Sequence, residues 1–118
     1  MRIKIYQMME SRDKRRLMFR RYAEALALGG VDPSEYELVF SGNVKAIDLE
    51  GVYNIFNNYP KMPKDYCGRS LSVSDVITVG GEAFYCDVIG FEKLESFDAG
   101  KASCKIKKRR FLFWRSRS

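Results

Sequence analysis

The chain contains no histidine. That absence excludes Ser-His-Asp and Cys-His nucleophilic machinery, the usual His-containing zinc sites and imidazole acid–base chemistry. Cysteine is scarce: Cys67, Cys86 and Cys104 are the only three, and no two form a C-x-x-C pair. An odd count at wide spacing fits thiols in a reducing compartment better than a disulfide framework, and no metal site is expected. Glycine-rich loops of the Walker or dinucleotide type are missing, since the glycine pairs at 29–30 and 80–81 sit at turns. No run approaches the roughly 18 apolar residues of a membrane span. The opening MRIKIYQMME has no apolar core of a secretory signal, so a cytoplasmic setting is expected. Asp75, Glu82 and Asp87 lie on or beside one hairpin, but acids at strand ends are mostly solvated. The expectation is a protein that is not an enzyme, with no cofactor and no small-molecule substrate.

Acids are also missing from one end. Residues 101–118 hold eight Lys/Arg and no acid, a balance of +8. Residues 1–21 hold eight Lys/Arg against two acids, or +6, and residues 22–100 hold five against thirteen, or −8. The net +6 therefore conceals an acidic middle between two basic ends. With 46% apolar and 14% aromatic residues, the 118 residues suffice for one folded domain with a real core.

Periodicity outlines the elements. Ile3 and Ile5 alternate with Lys4, as in a strand with one buried face. Met18, Tyr22, Ala25 and Leu26 recur at helical spacing until Gly29-Gly30. Asp32-Pro33-Ser34-Glu35 suits one capped helical turn, and Tyr36, Leu38 and Phe40 then alternate with Glu37 as a half-buried strand. Asp48 is the expected N-cap of a helix whose stripe is Leu49, Val52, Tyr53 and Phe56, ended by Pro60 and Pro63. Two β-prone runs flanking Gly80-Gly81 predict a hairpin with a primed turn. The pattern predicts a small α+β domain over residues 1–98, with a mostly antiparallel sheet and two helices. Residues 99–118 are set apart as a basic aromatic C-terminal tail.

The stretch GRSLSVSDVITV, residues 68–79, concentrates the polar chemistry. As one continuous strand it would place Asp75 in a row with Leu71, Val73, Ile77 and Val79, a costly position for a carboxylate. A turn at Ser74-Asp75 avoids that cost. Both side chains then accept backbone N–H bonds, the strand begins at Val76, and the remaining serines, Ser70 and Ser72, face solvent or pair locally. Two other readings stay open: a buried Asp75 held by Arg69 or another cation, and a phosphate or ligand site built from the hydroxyls of Ser70, Ser72 and Ser74. Gly68, Arg69, Ser70, Ser72, Ser74 and Asp75 are accordingly assigned as a structural motif.

The series IYQM, YELVF, DLEGVYNIFNNYP, DYCGRSLSVSDVITV and FYCDVIGF resembles the YodL-like domain, with Tyr36 to Phe91 carrying nearly all of the likeness. The most specific part is the core around Gly68-Arg69-Ser70, in which Arg69 stands where histidine is frequent, so that position does not require imidazole. Tyr66 and Cys67 replace an Asp-Phe pair common in the family. The resemblance implies a small domain of Firmicutes, found alone or within larger proteins and often encoded on mobile elements. It brings no catalytic residues. A protein-interaction or regulatory module is the expectation it supports.

The basic ends support a competing reading. Arg15 and Arg16, with Lys105, Lys107, Lys108, Arg109, Arg110 and Trp114, could engage nucleic acid through phosphates and base stacking. The same residues suit an anionic membrane surface. The tail could equally lie along the domain's own acidic middle. An unidentified protein is the expected partner, with nucleic acid as the alternative.

Overall fold

A computed structural model describes residues 1–106 of the chain. Six strands form one sheet: β1 (Arg2–Met8), β2 (Tyr36–Asn43), β3 (Val76–Val79), β4 (Glu82–Cys86), β5 (Phe91–Leu94) and β6 (Ser103–Cys104). Their order is β5-β4-β3-β1-β2-β6, and every pair is antiparallel except β2 with β6. Two short helices, α1 (Tyr22–Ala27) and α2 (Leu49–Ile55), pack with the sheet among the described residues. The α+β architecture with a mostly antiparallel sheet is the one the periodicity predicts.

Several local expectations hold in detail. Gly80 and Gly81 have φ of +56° and +87° and join Val79 to its partner Glu82. Both central residues thus occupy the left-handed region that a primed two-residue turn requires. Asp48 Oδ1 accepts from the Gly51 N–H at 2.8 Å and caps α2. Asp32 Oδ1 does the same for Ser34 at 3.0 Å, opening a single 3-10 turn over Pro33–Glu35.

The sheet is buried on both faces, which the simple alternation does not predict. Ile3, Ile5, Phe40, Val52, Phe56, Leu71 and Ile77 form one core beneath α2. Tyr6, Met8, Tyr36, Val76, Tyr85 and Leu94 form a second, closed by Leu17, Ala25 and Phe97. The switch lies in a β-bulge. Ile5 pairs with Phe40 but Tyr6 pairs with Leu38, so Val39 is an extra residue in β2. One inserted residue reverses the side-chain phase of a strand. Tyr36 and Leu38 therefore serve the second core and Phe40 the first, whereas strict alternation would put all three on one face. The bulged Val39 carbonyl accepts from the Cys67 N–H at 3.1 Å and anchors the loop after α2.

The helical stripe before Gly29 is also shorter than its spacing suggests. Only Tyr22–Ala27 is helical, Ala25 is its sole buried residue, and Leu26 is 54% exposed. Met18 sits instead in a loop that Asp13 organises by accepting from the Leu17 N–H at 2.7 Å and the Met18 N–H at 3.0 Å. A carboxylate that satisfies local N–H groups competes with helix propagation. The sheet also continues past residue 98. Ser103 and Cys104 pair with Glu37 and Leu38 as β6, so the segment assigned to the tail starts inside the fold. The run EAFYCDVIGF is two strands, β4 and the start of β5, divided by a turn at 87–90 in which Gly90 has φ +74°.

Candidate functional site

The motif after α2 folds as a loop across the end of β1 and is tied there by one side chain, Gln7. Gln7 is 1% exposed. Its Oε1 accepts from the Arg69 N–H at 2.9 Å. Its Nε2 lies 3.0 Å from Asp75 Oδ2, 2.9 Å from the Arg69 carbonyl and 3.0 Å from the Tyr66 hydroxyl, which itself donates to that carbonyl. Asp75 Oδ2 also accepts from the Ser72 N–H at 2.8 Å. The Tyr66 ring packs edge-on against Phe56, with centroids 4.8 Å apart, so the polar knot sits beside the first core.

Asp75 belongs to a turn and β3 begins at Val76, as the turn reading predicts. It is nevertheless fully buried, and its Oδ1 has no hydrogen-bond partner. Burial drives its pKa from 3.8 to about 7, opposed by the hydrogen bonds from Ser72 and Gln7 and by the charge of Arg69. The buried-Asp75 reading is thus partly realised, but with an amide as the side-chain donor. The Arg69 guanidinium reaches the Met8 carbonyl at 3.4 Å and only influences Asp75 through space. Ser70 is exposed and Ser72 half-buried. Ser74 accepts a backbone N–H, as the turn reading expects, but it is fully buried and its partners come from distant elements. Its Oγ accepts from the Phe19 N–H at 3.0 Å, its carbonyl accepts from the Tyr36 hydroxyl at 2.7 Å, and its N–H donates to the Cys86 carbonyl at 2.9 Å. These bonds hold Ser74 at φ +85°, a conformation that a non-glycine residue keeps only when its surroundings impose it.

Gly68 is explained by the same knot. A Cβ there would overlap Gln7 Oε1 and lie 2.9 Å from the Tyr66 hydroxyl. Gly68→Ala is expected to lower stability by about 1–3 kcal/mol through this overpacking. Urea denaturation would show it as a lower midpoint, and an unchanged midpoint would contradict the close approach.

Of the cations assigned to macromolecule binding, Arg15 is committed internally. Its guanidinium pairs with Glu35 at 2.6 Å and donates to the Leu28 carbonyl at 2.8 Å. Arg16 is exposed, in a turn with φ +56°. Lys105 donates to the Cys67 carbonyl at 3.0 Å and stands 3.9 Å from Glu37. Arg15, in the loop before α1, and Lys105, just after β6, thus lie on different elements rather than in one patch defined by mutual contacts. Lys107, Lys108, Arg109, Arg110 and Trp114 lie outside the described residues.

A feature with no sequence signal is the seam between α2 and strands β4 and β5. Two adjoining cavities, of about 270 and 400 Å³, share Glu50 and Phe91 in their walls. Tyr53, Val73 and Val88 line the first, and Leu49, Val79 and Phe84 the second. The lip is the turn at 87–90, where Val88 is 59% and Ile89 91% exposed. Asp87 fixes that turn by accepting from the Val88 N–H at 2.8 Å and the Tyr22 N–H at 3.1 Å. Among the described residues, no cluster of Cys, Asp or Glu has the geometry to hold a metal ion, and no helix is long and apolar enough to cross a membrane.

A mixed six-stranded sheet with a serine-rich loop knotted to its central strand defines a small α+β domain with a structural polar core. The YodL-like domain matches residues 2–97, so the chain belongs to the YodL-like domain family. The match includes all of β1, of which the resemblance in the sequence used only IYQM, and so includes Gln7. No curated protein and no solved structure shows significant similarity to the chain.

Proposed function

We propose that this YodL-like protein is a non-catalytic interaction or regulatory module that acts by binding another protein. The observation that carries the reading is the seam between α2 and β4–β5, with Val88 and Ile89 projecting from a turn that Asp87 holds in place. Large apolar side chains on a fixed turn beside an apolar cleft are what a docking surface presents. The polar residues of the motif meanwhile serve internal bonds: Asp75 to Gln7 and Ser72, Ser74 to Phe19 and Tyr36. A bacterial cytoplasm and a mobile-element setting in Firmicutes complete the proposal, on the strength of the family resemblance.

The test is comparative cross-linking and capture from a bacterium carrying the gene, with the full chain and with Val88→Asp/Ile89→Asp. A specific protein recovered by the native chain and lost, or reduced at least tenfold, with the variant supports the reading. Recovery of the same proteins by both overturns it. Recovery of nucleic acid alone, released as salt rises from low to moderate concentration, would favour the competing nucleic-acid reading instead.

A further inference from the structure

The seam has an electrostatic character that specifies what it accepts. Its two cavities have apolar floors, from Leu49, Val79 and Phe84 in one and Tyr53 and Val73 in the other, with Phe91 between them. Their rims are acidic. Asp48, Glu50 and Glu82 border the larger cavity, and Glu50 and Asp87 the smaller. Among the described residues no lysine or arginine side chain lines either cavity, and the N-terminal ammonium of Met1, which borders the larger one, donates to the Val44 carbonyl at 2.9 Å. Three of these acids are partly engaged: Asp48 caps α2, Asp87 accepts from two N–H groups, and Glu82 pairs with Lys93. Glu50 is exposed, makes no ion pair among the described residues, and stands on the wall common to both cavities.

We infer that the seam binds an extended peptide segment of the partner protein in which a Lys or Arg adjoins an aromatic or aliphatic anchor. The inference rests on the protein-binding reading above and names the partner's chemistry. The anchor fills the apolar floor at Phe91, and the cation meets Glu50 at the rim. Charge complementarity of this kind sets specificity and association rate, while the buried anchor supplies most of the affinity. Phe91, in the wall of both cavities, is the first residue of β5, which lies at one edge of the sheet. An edge strand leaves backbone groups open to pair with an extended chain.

The experiment titrates the full-length protein with fluorescein-labelled synthetic peptides, read by anisotropy at low and moderate salt. One peptide carries Lys and Arg around a Phe-Leu-Phe centre; a second replaces each cation by glutamate. The cationic peptide is expected to bind, more weakly as salt rises, and the acidic one to bind at least tenfold more weakly. Glu50→Lys is expected to weaken the cationic peptide at least tenfold and Glu50→Gln by less. Glu10→Lys, beyond the opposite end of β1 from the seam, should leave it unchanged. Equal binding of both peptides, or equal loss in the Glu50 and Glu10 variants, overturns the inference. If Glu50→Lys still captures the host protein that Val88→Asp/Ile89→Asp loses, the binding module stands and the cationic partner does not.

Discussion

Replacing Gln7 by alanine will destabilise the protein by about 3–5 kcal/mol, the largest effect expected of any single substitution in the motif's network. The magnitude follows from what the change strands. The Arg69 N–H loses the acceptor it has at 2.9 Å in a part-buried position, and the fully buried Asp75 Oδ2 loses the donor at 3.0 Å. A buried polar group left without a partner costs its desolvation, and a buried carboxylate costs more than a neutral group. The cavity left by the deleted amide adds to this. A fall in melting temperature of roughly 10–20 °C is expected by calorimetry. Gln7→Glu separates hydrogen bonding from packing. It retains shape and the acceptor for Arg69, but sets a second carboxyl against Asp75. Two adjacent carboxyls cannot both ionise, so this variant should approach the parent at pH 5 and fall far below it at pH 8. Gln7→Glu melting in parallel with the parent at both pH values would show that Gln7 and Asp75 do not meet.

The second large effect is a stability that declines as pH rises through the acid and neutral range. The Asp75 carboxyl titrates at about 7 in the folded chain against 3.8 for an ordinary aspartate, because burial disfavours its ionised form. The folded state therefore holds this proton more tightly than the unfolded state. The contribution is complete below about pH 4 and is lost progressively as pH climbs to about 7, and the shift corresponds to on the order of 4 kcal/mol. Asp32 acts in the opposite sense. Hydrogen bonds from Ser34 lower its pKa, so its contribution disappears only on acidification below the usual aspartate range. Asp75→Asn keeps an oxygen for Ser72 and Gln7 and removes the charge. Urea unfolding at pH 5, 6, 7 and 8 should give a falling stability for the parent and a nearly flat one for Asp75→Asn. Equal slopes for the two proteins would assign the pH dependence elsewhere.

Gln7 and Asp75 also mark the boundary of what local sequence carries. The serines and the acid announce that residues 68–79 are unusual, and the cost of a carboxylate in an apolar row correctly places a turn before Val76. Nothing near Asp75 in the chain points to Gln7, which lies 68 residues away. A single glutamine in a β-strand has no pattern, so its role emerges only when β1 and β3 pair. Ser74 is similar. The turn reading makes its hydroxyl an acceptor for a backbone N–H, but only the fold supplies the distant donor, Phe19, and brings Tyr36 onto its carbonyl. The seam was equally hidden, because its walls come from α2, the loop before β3 and the β4–β5 turn.

Local sequence is enough for the fold class, the Gly80-Gly81 turn, the caps at Asp32 and Asp48, and membership of the YodL-like domain family. Those features depend on neighbouring residues: a φ value only glycine adopts readily, a side chain that reaches an N–H two or three positions on, a run of characteristic residues. Tertiary structure alone decided that both faces of the sheet are buried, that Val39 shifts the phase of β2, and that Asp75 is closed off beside Gln7. It also decided that Arg15 serves Glu35. Each of these depends on which distant segments meet. Their free energy comes from desolvation and cross-strand register, and neither exists until the strands have paired.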